Sequence, residues 1–230
     1  MRKRTLIVLG IILAFFVAQS CSSNPEKSLL SRYFNAVSMN DNSTMASMAL
    51  EPAQWELASW EILSVSPEKI EPVGLPALNQ KELDVKKAQD AQIGPTMDAD
   101  TVLANAKDEL DLARTAGAKA VAKKKVEEAQ AKYDEEFGKM RDLKMSYTEA
   151  KKAAAAEEQI TLFSLGVREL AAVRDMTGNV HSKDVVVKIK TKQGVTKDYR
   201  LLMRMYDLTN PAAGLKQRGR WVITKFEAVA

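Results

Sequence analysis

Val185-Val186-Val187-Lys188-Ile189-Lys190-Thr191-Lys192-Gln193-Gly194 is a segment of two alternating characters. Val185, Val187, Ile189 and Thr191 hold one parity, and Val186, Lys188, Lys190 and Lys192 hold the other. A period of two with one apolar side is the pattern of a strand that buries one face. Gln193-Gly194 supplies a hairpin turn. The alternation resumes beyond it, with Tyr199, Leu201, Met203 and Met205 set against Arg200, Leu202, Arg204 and Tyr206. Asn210-Pro211 and Gly214 mark a loop, and Arg220 to Val229 makes a last strand around Trp221, Ile223 and Phe226. Three antiparallel strands are therefore expected at the end of the chain.

Upstream the period changes. Ile160, Phe163, Val167, Leu170 and Val173 predict an amphipathic helix over Ile160 to Met176, stopped near Gly178. From Asn79 to Glu158 alanine, lysine, glutamate and aspartate dominate, a helix-forming composition. Gly94-Pro95 is its one strong interruption, and Asp98 can recap the helix just beyond. Val126, Ala129, Tyr133, Met140, Leu143, Tyr147, Ala150 and Ala154 follow spacings of three and four, with Glu136 a polar lapse. Leu103, Ala106, Leu110, Ala113 and Ala120 carry the same rhythm, a thin heptad seam. One straight helix from Asp98 to Glu158 would run about 90 Å with its seam exposed. A hairpin turning near Thr115-Ala118 at Gly117 lets the two seams face each other and is the expected solution.

At the front, Ser23-Asn24-Pro25 with Glu26 reads as a helix start. Leu29, Leu30, Tyr33, Phe34 and Val37 define that helix's apolar face. Asn40-Asp41-Asn42-Ser43 breaks it. Asn42 or Ser43 can cap a short second helix carrying Met45, Met48 and Leu50, which Pro52 ends. Trp55 to Val65 is rich in aromatic and branched residues and is expected to be a strand.

The predicted fold class is α+β: N-terminal helices packed on a small curved antiparallel sheet, with an inserted long helical hairpin or coiled-coil arm. This order resembles the cone-shaped nuclear transport factor 2-like (cystatin-like) superfamily. The resemblance is carried by Tyr33-Phe34-Asn35-Ala36-Val37, by the Asn40-Asp41 break before Met48-Ala49, and by Arg220-Trp221-Val222-Ile223. It covers residues 25–78 and 160–230, which leaves 79–158 as a helical insertion. Enzymes of that superfamily imply an Asp or Asp-His set in an apolar pocket. Here the sole histidine, His181, lies in polar company, and Asp41 stands at a helix terminus where capping is the simpler role. No catalytic residue is nominated, and the chain is expected not to be an enzyme.

The first twenty residues read as an address. Arg2, Lys3 and Arg4 precede thirteen uncharged residues, Leu6 to Ala18. A helix of that length is about 20 Å, short of a roughly 30 Å hydrocarbon core. This is a signal peptide pattern over 1–20. Val17-Ala18-Gln19-Ser20-Cys21 resembles the lipobox of bacterial lipoproteins, with alanine where leucine is commonest. The resemblance implies lipidation of Cys21, followed by a short tether over 21–27. With Ser22 after the cysteine, it also implies sorting to the outer membrane, facing the periplasm. The alternative is a plain signal peptidase site at Ala18-Gln19-Ser20 with Cys21 a free thiol.

The whole chain has 230 residues, a hydrophobic content of 46% and a charged content of 28%, which excludes a disordered tail protein and a multi-span membrane protein. One cysteine and one histidine exclude disulfide scaffolds, Cys/His zinc sites and Cys-His nucleophile pairs, and no cofactor or metal is expected. Loss of Arg2, Lys3 and Arg4 takes the net charge from +4 to +1. That charge is unevenly spread. Residues 183–225 hold eleven basic and three acidic side chains, whereas 26–113 hold seven basic and fifteen acidic. Lys188, Lys190, Arg200 and Arg204 are candidates for one anion-binding face, the alternative being a solvated face that protects the sheet. Expected partners are a membrane, through the anchor, and an envelope protein, through the helical arm. Nucleic acid is not expected, because no aromatic-basic interleaving is present. The functional expectation is a lipid-anchored envelope protein that binds or scaffolds. A small-molecule or lipid pocket in the cone is the alternative.

Overall fold

The computed structural model describes residues 24–210 and 214–229. In chain order the elements are α1 (Pro25–Ser38), α2 (Asn42–Met48), β1 (Leu57–Val65), β2 (Lys69–Pro72), α3 (Leu75–Leu112), α4 (Ala116–Leu165), a single 3-10 turn (Val173–Asp175), β3 (Thr177–Thr191), β4 (Thr196–Asn210), β5 (Leu215–Arg218) and β6 (Val222–Ala228). The class is α+β, with a curled antiparallel sheet and a long helical pair inserted between β2 and β3. The strand order is β1-β3-β4-β5, with β2 paired to β3 and β6 paired to β4. The chain forms two compact units. One holds Ser182–Met205 with the described residues up to Lys69 and from Trp221 on; the other holds Ile70–His181 and Tyr206–Arg220.

In the first unit, α1 begins at Pro25, whose missing N–H is one that a helix start leaves unbonded in any case. Its buried side carries Leu30, Tyr33, Phe34 and Val37. These meet the inward parity of β3 and β4, namely Val185, Val187, Ile189, Leu201 and Met203, together with Ile223 of β6. Phe34 stacks on Trp60 with ring centres 4.6 Å apart, and Tyr33 packs against Phe226 at 5.5 Å. The Tyr33 hydroxyl accepts from Ala53 N at 3.0 Å, and burial pushes its phenol up to about 12. Asn40 adopts φ 53 to turn the chain. Asp41, not Asn42 or Ser43, then caps α2, accepting from Thr44 N at 3.0 Å. Bulges at Leu57/Ser59 and Ile62/Ser64 in β1 and at Thr224 in β6, opposite Leu202/Met203, curl the strands around this core.

In the second unit, α3 and α4 form the expected hairpin, about 57 Å and 75 Å of helix. Three details depart from expectation. Gly94-Pro95 does not break α3, which runs through Pro95. One lost backbone bond and the ring clash cost about 3 kcal/mol in an isolated helix, and the seam with α4 on both sides of Pro95 outweighs that. The turn lies at Ala113–Thr115, where Thr115 caps α4 through Ala118 N at 3.2 Å. Gly117 sits inside the first turn of α4, with open space where a side chain would stand. The separate helix expected over Ile160–Met176 does not form; α4 itself continues to Leu165. Nothing from Lys139 to Leu165 breaks a helix, and Gly166 at φ 73 provides the left-handed stop.

The base of this unit is closed by Leu75, Val173, Met176, Tyr206 and Leu208. Ser164 Oγ donates to Arg220 O at 2.8 Å, and Gly219 N donates to Tyr206 O at 2.7 Å. Arg174 bridges α3 and α4 through Glu82 at 2.8 Å and Glu158 at 2.7 Å. Short β2 and β5, and the start of β3 at Thr177, were not visible in the sequence pattern. Gly178 has φ 142, and a Cβ there would stand 2.1 Å from Asp207 O. Gly178→Ala is therefore expected to destabilise the chain by about 2 kcal/mol. Gly117→Ala should instead be neutral or gain up to about 1 kcal/mol of helix propensity. Denaturant unfolding of both variants checks the contrast, and equal losses would contradict it.

Candidate functional site

The alternation of β3 and β4 decides what the sheet shows to solvent. Val187, Ile189, Leu201 and Met203 all enter one core, so Lys188, Lys190, Arg200 and Arg204 share the opposite face of two neighbouring strands. The structure thus brings the four expected residues to one side. It also interleaves acids that the sequence pattern did not pair with them. Lys188 Nζ lies 3.2 Å from Glu61, its register partner on β1. Arg200 is in register with Glu227 of β6, whose carboxyl is held below its ordinary range by Lys225 and, more weakly, by Arg200. Lys190 stands opposite Ser59, and Arg204 opposite Val222. Lys183 is withdrawn from the face. Its ammonium is largely buried between Glu26 at 3.2 Å and Glu68 at 3.6 Å, over the Trp221 ring. Glu61 and Glu227 thus share the face with the four basic residues, of which Arg204 is half-buried beside the fully buried Val222.

The sheltered part of the first unit is filled. Tyr33, Phe34, Leu201, Met203 and Ile223 are each at most 1% exposed. Where α1 turns into α2, a depression of about 330 Å³ opens, lined by Val37, Asn40, Asn42, Met45, Gln54, Trp55 and Glu56. Its edge groups are amides and one carboxylate, Glu56, which accepts a hydrogen bond from Gln193. Asp41 is exposed and engaged with Thr44, which holds its carboxyl below the ordinary range. His181 is half-buried within β3. Among the described residues no three His, Cys, Asp or Glu side chains gather where a metal ion could sit. Cys21, the expected lipidation site, lies outside the described residues. No helix among the described residues is long and apolar enough to cross a membrane.

The helical pair has its own chemistry. The seam of α3 runs through Val85, Gln89, Gln92, Thr96, Ala99, Leu103 and Ala106. It meets Ala122, Val126, Ala129, Tyr133, Glu136, Met140 and Leu143 of α4. The polar lapse at Glu136 has partners on both helices. Gln92 Nε2 donates to Glu136 Oε2 at 2.6 Å, while Lys132 and Lys139 approach Oε1 at 2.6 Å and 3.1 Å. The hydrogen bonds from Lys132, Gln92 and Lys139, in that order, pull the Glu136 carboxyl from 4.5 down to about 2. Its side chain is 8% exposed. The sequence reading missed Gln92 and Thr96 as seam residues because they flank Gly94-Pro95.

Comparisons with family models, with characterised proteins and with solved structures give no match to this chain.

Because the Glu136 carboxyl titrates lower in the folded chain than in the unfolded one, its stabilising contribution is complete above about pH 4.5 and is lost as pH falls toward about 2. Glu136→Gln should remove that component of the acid dependence while keeping a polar side chain in the layer. Thermal melts followed by far-UV circular dichroism across this window check it. Parallel acid profiles for wild type and variant would contradict it.

Proposed function

We propose that the chain is a lipid-anchored cell-envelope protein that acts by binding or scaffolding and carries out no catalysis. The observation that supports this reading is the filled interior of the first unit. Aromatic and aliphatic side chains from α1, β3, β4 and β6 pack together throughout that interior. Membership of the nuclear transport factor 2-like superfamily belongs to the same proposal, supported by α1 and α2 packed on a curled sheet. In this reading Cys21 carries the acyl chains, and the protein sits on the outer membrane facing the periplasm. The face of Lys188, Lys190, Arg200 and Arg204 then attracts anionic groups such as headgroup phosphates.

Two measurements test this. Metabolic labelling with a palmitate analogue should mark the wild type and not Cys21→Ser, and equal labelling removes the anchor. The exported, lipid-free Cys21→Ser protein should bind anionic vesicles in a salt-sensitive way. Each basic residue near such a surface contributes about 1 kcal/mol, so Lys190→Gln with Arg200→Gln should weaken binding roughly thirtyfold. Absence of binding at low salt refutes the basic face as a site.

A second reading is a small-molecule or lipid pocket, favoured by the depression beside Trp55. A ligand seated there would shift Trp55 emission, and Asn42→Ala should abolish the shift. Indifference of the emission to Asn42→Ala would count against the pocket.

A further inference from the structure

The half of the helical pair nearest its turn carries more apolar surface than a hairpin alone explains. Val102 is 57% exposed, Leu112 74% and Val121 62%. They belong to one continuous groove made of three depressions. The first, at Pro95, Ala99 and Glu136, shares Val102 and Lys132 with the second; the second shares Glu109 and Lys125 with the third, which reaches Leu112 and Val121 at the turn. From Pro95 to Leu112 the groove is about 26 Å long. Its floor is made of small residues, Ala99, Ala106, Ala122 and Ala129, which allow a close approach by another helix.

The two walls differ in sign. On α3 the charged lining residues are Asp98 and Glu109, whereas on α4 they are Lys125 and Lys132 with Glu128 and, at the Pro95 end, Glu136, which Lys132 meets at 2.6 Å. The asymmetry extends past the lining. Residues 98–112 hold five acidic side chains and one basic, and residues 119–132 hold five basic and two acidic. A partner of uniform charge would be attracted by one wall and repelled by the other. Within one chain Lys125 meets Glu109 and Lys132 meets Glu136, each at 2.6 Å, and a second copy of the same groove offers both walls a further partner of opposite sign.

We propose that this groove is the interface of a parallel homodimer, in which a two-fold axis along the helices lays α3 of one copy on α4 of the other. This deepens the binding reading above by naming the partner of the arm as the chain itself. The register follows from pairs within one chain. Lys125 and Glu109 meet at 2.6 Å, and Gln92 and Glu136 at 2.6 Å, so Glu109 is level with Lys125, and Asp98 lies near the level of Lys132. Under the two-fold, Glu109 faces the second copy's Lys125, and Asp98 faces its Lys132. Val102 enters the second copy's alanine floor, and Leu112 meets its Val121. The interface is isologous and closes at two copies. With both turns pointing the same way, two anchored copies share one orientation on a membrane.

The test is a charge exchange in the full chain, solubilised in detergent, with protein mass read by light scattering. Wild type is expected at twice the chain's mass. A chain with Glu109→Lys, and a second with Lys125→Glu, should each fall to a single chain mass while keeping wild-type helicity. Mixed, they should return to twice that mass, because each basic wall then meets an acidic one. Should either exchanged chain lose helicity, Val102→Glu replaces it, because that side chain is already exposed; it should also give a single chain mass. Wild type at a single chain mass overturns the proposal, as do exchanged chains or a Val102→Glu variant that stay paired. Palmitate labelling of Cys21 and vesicle binding by the sheet face are read separately, so either reading can fail without the other.

Discussion

Antiparallel pairing along β3 and β4, two fifteen-residue strands joined through Gly194, is the constraint from which both units draw their cores. Once those main chains are paired, the side-chain period of two fixes every inward residue, and a slip of one position would reverse them all. Val185, Val187 and Ile189 with Leu201 and Met203 serve the core under α1, while Met176 with Tyr206 and Leu208 serves the base of the helical pair. The parity that buries the first set sends Lys188, Lys190, Arg200 and Arg204 to the opposite face, the side on which Tyr206 and Leu208 are buried further along β4. The basic face is thus a by-product of the core pattern as well as a surface with its own chemistry, and Glu61 and Glu227 reduce its charge from the neighbouring strands.

Legibility followed the range of the physics. The inward residues of β3 and β4, the apolar side of α1 and the heptad of α4 all rest on near-neighbour spacing, and each could be read from it. So could the outward positions of the four basic residues. What escaped depends on partners far along the chain. Gly94-Pro95 looks like a break because local signals weigh only one lost hydrogen bond and a steric clash. The seam that overrides them is supplied by residues some forty positions away, among them Glu136. For the same reason Gln92 and Thr96 did not stand out as seam residues. The pairing of Lys188 with Glu61 needs a strand register between segments over a hundred residues apart. β2 and β5 are four-residue strands, and their pairing is assigned by the neighbours they meet.

At helix ends the sequence offered several adequate signals and the structure used one. Asn40-Asp41-Asn42-Ser43 contains four residues able to cap. Asp41 is used because Asn40 takes the left-handed conformation just before it and so starts the helix one residue earlier. Gly178 looked like the stop of a helix, yet its glycine is needed for a different reason: Asp207 O occupies the space of a side chain. The stop falls to Gly166.

The seam of α3 and α4 departs from the usual economy of a coiled coil. Large apolar side chains are scarce in it: Leu103, Ala106 and Ala129 form its buried cluster, with Val126 and Tyr133 packed alongside. Alanine removes little apolar surface from water, so such a seam holds two helices close while contributing little hydrophobic stabilisation per turn. The layer of Gln92, Lys132, Glu136 and Lys139 adds register, since a slip of the pair would strand a carboxylate that is now satisfied from both helices. Register is therefore strongly specified where hydrophobic burial is weak. The larger apolar side chains, Val102, Leu112 and Val121, lie outside the seam on the open groove. Leu103, Val126 and Tyr133 are the apolar anchors that the seam does have, and Val102, Leu112 and Val121 beside it leave apolar area that the helix pair alone does not bury.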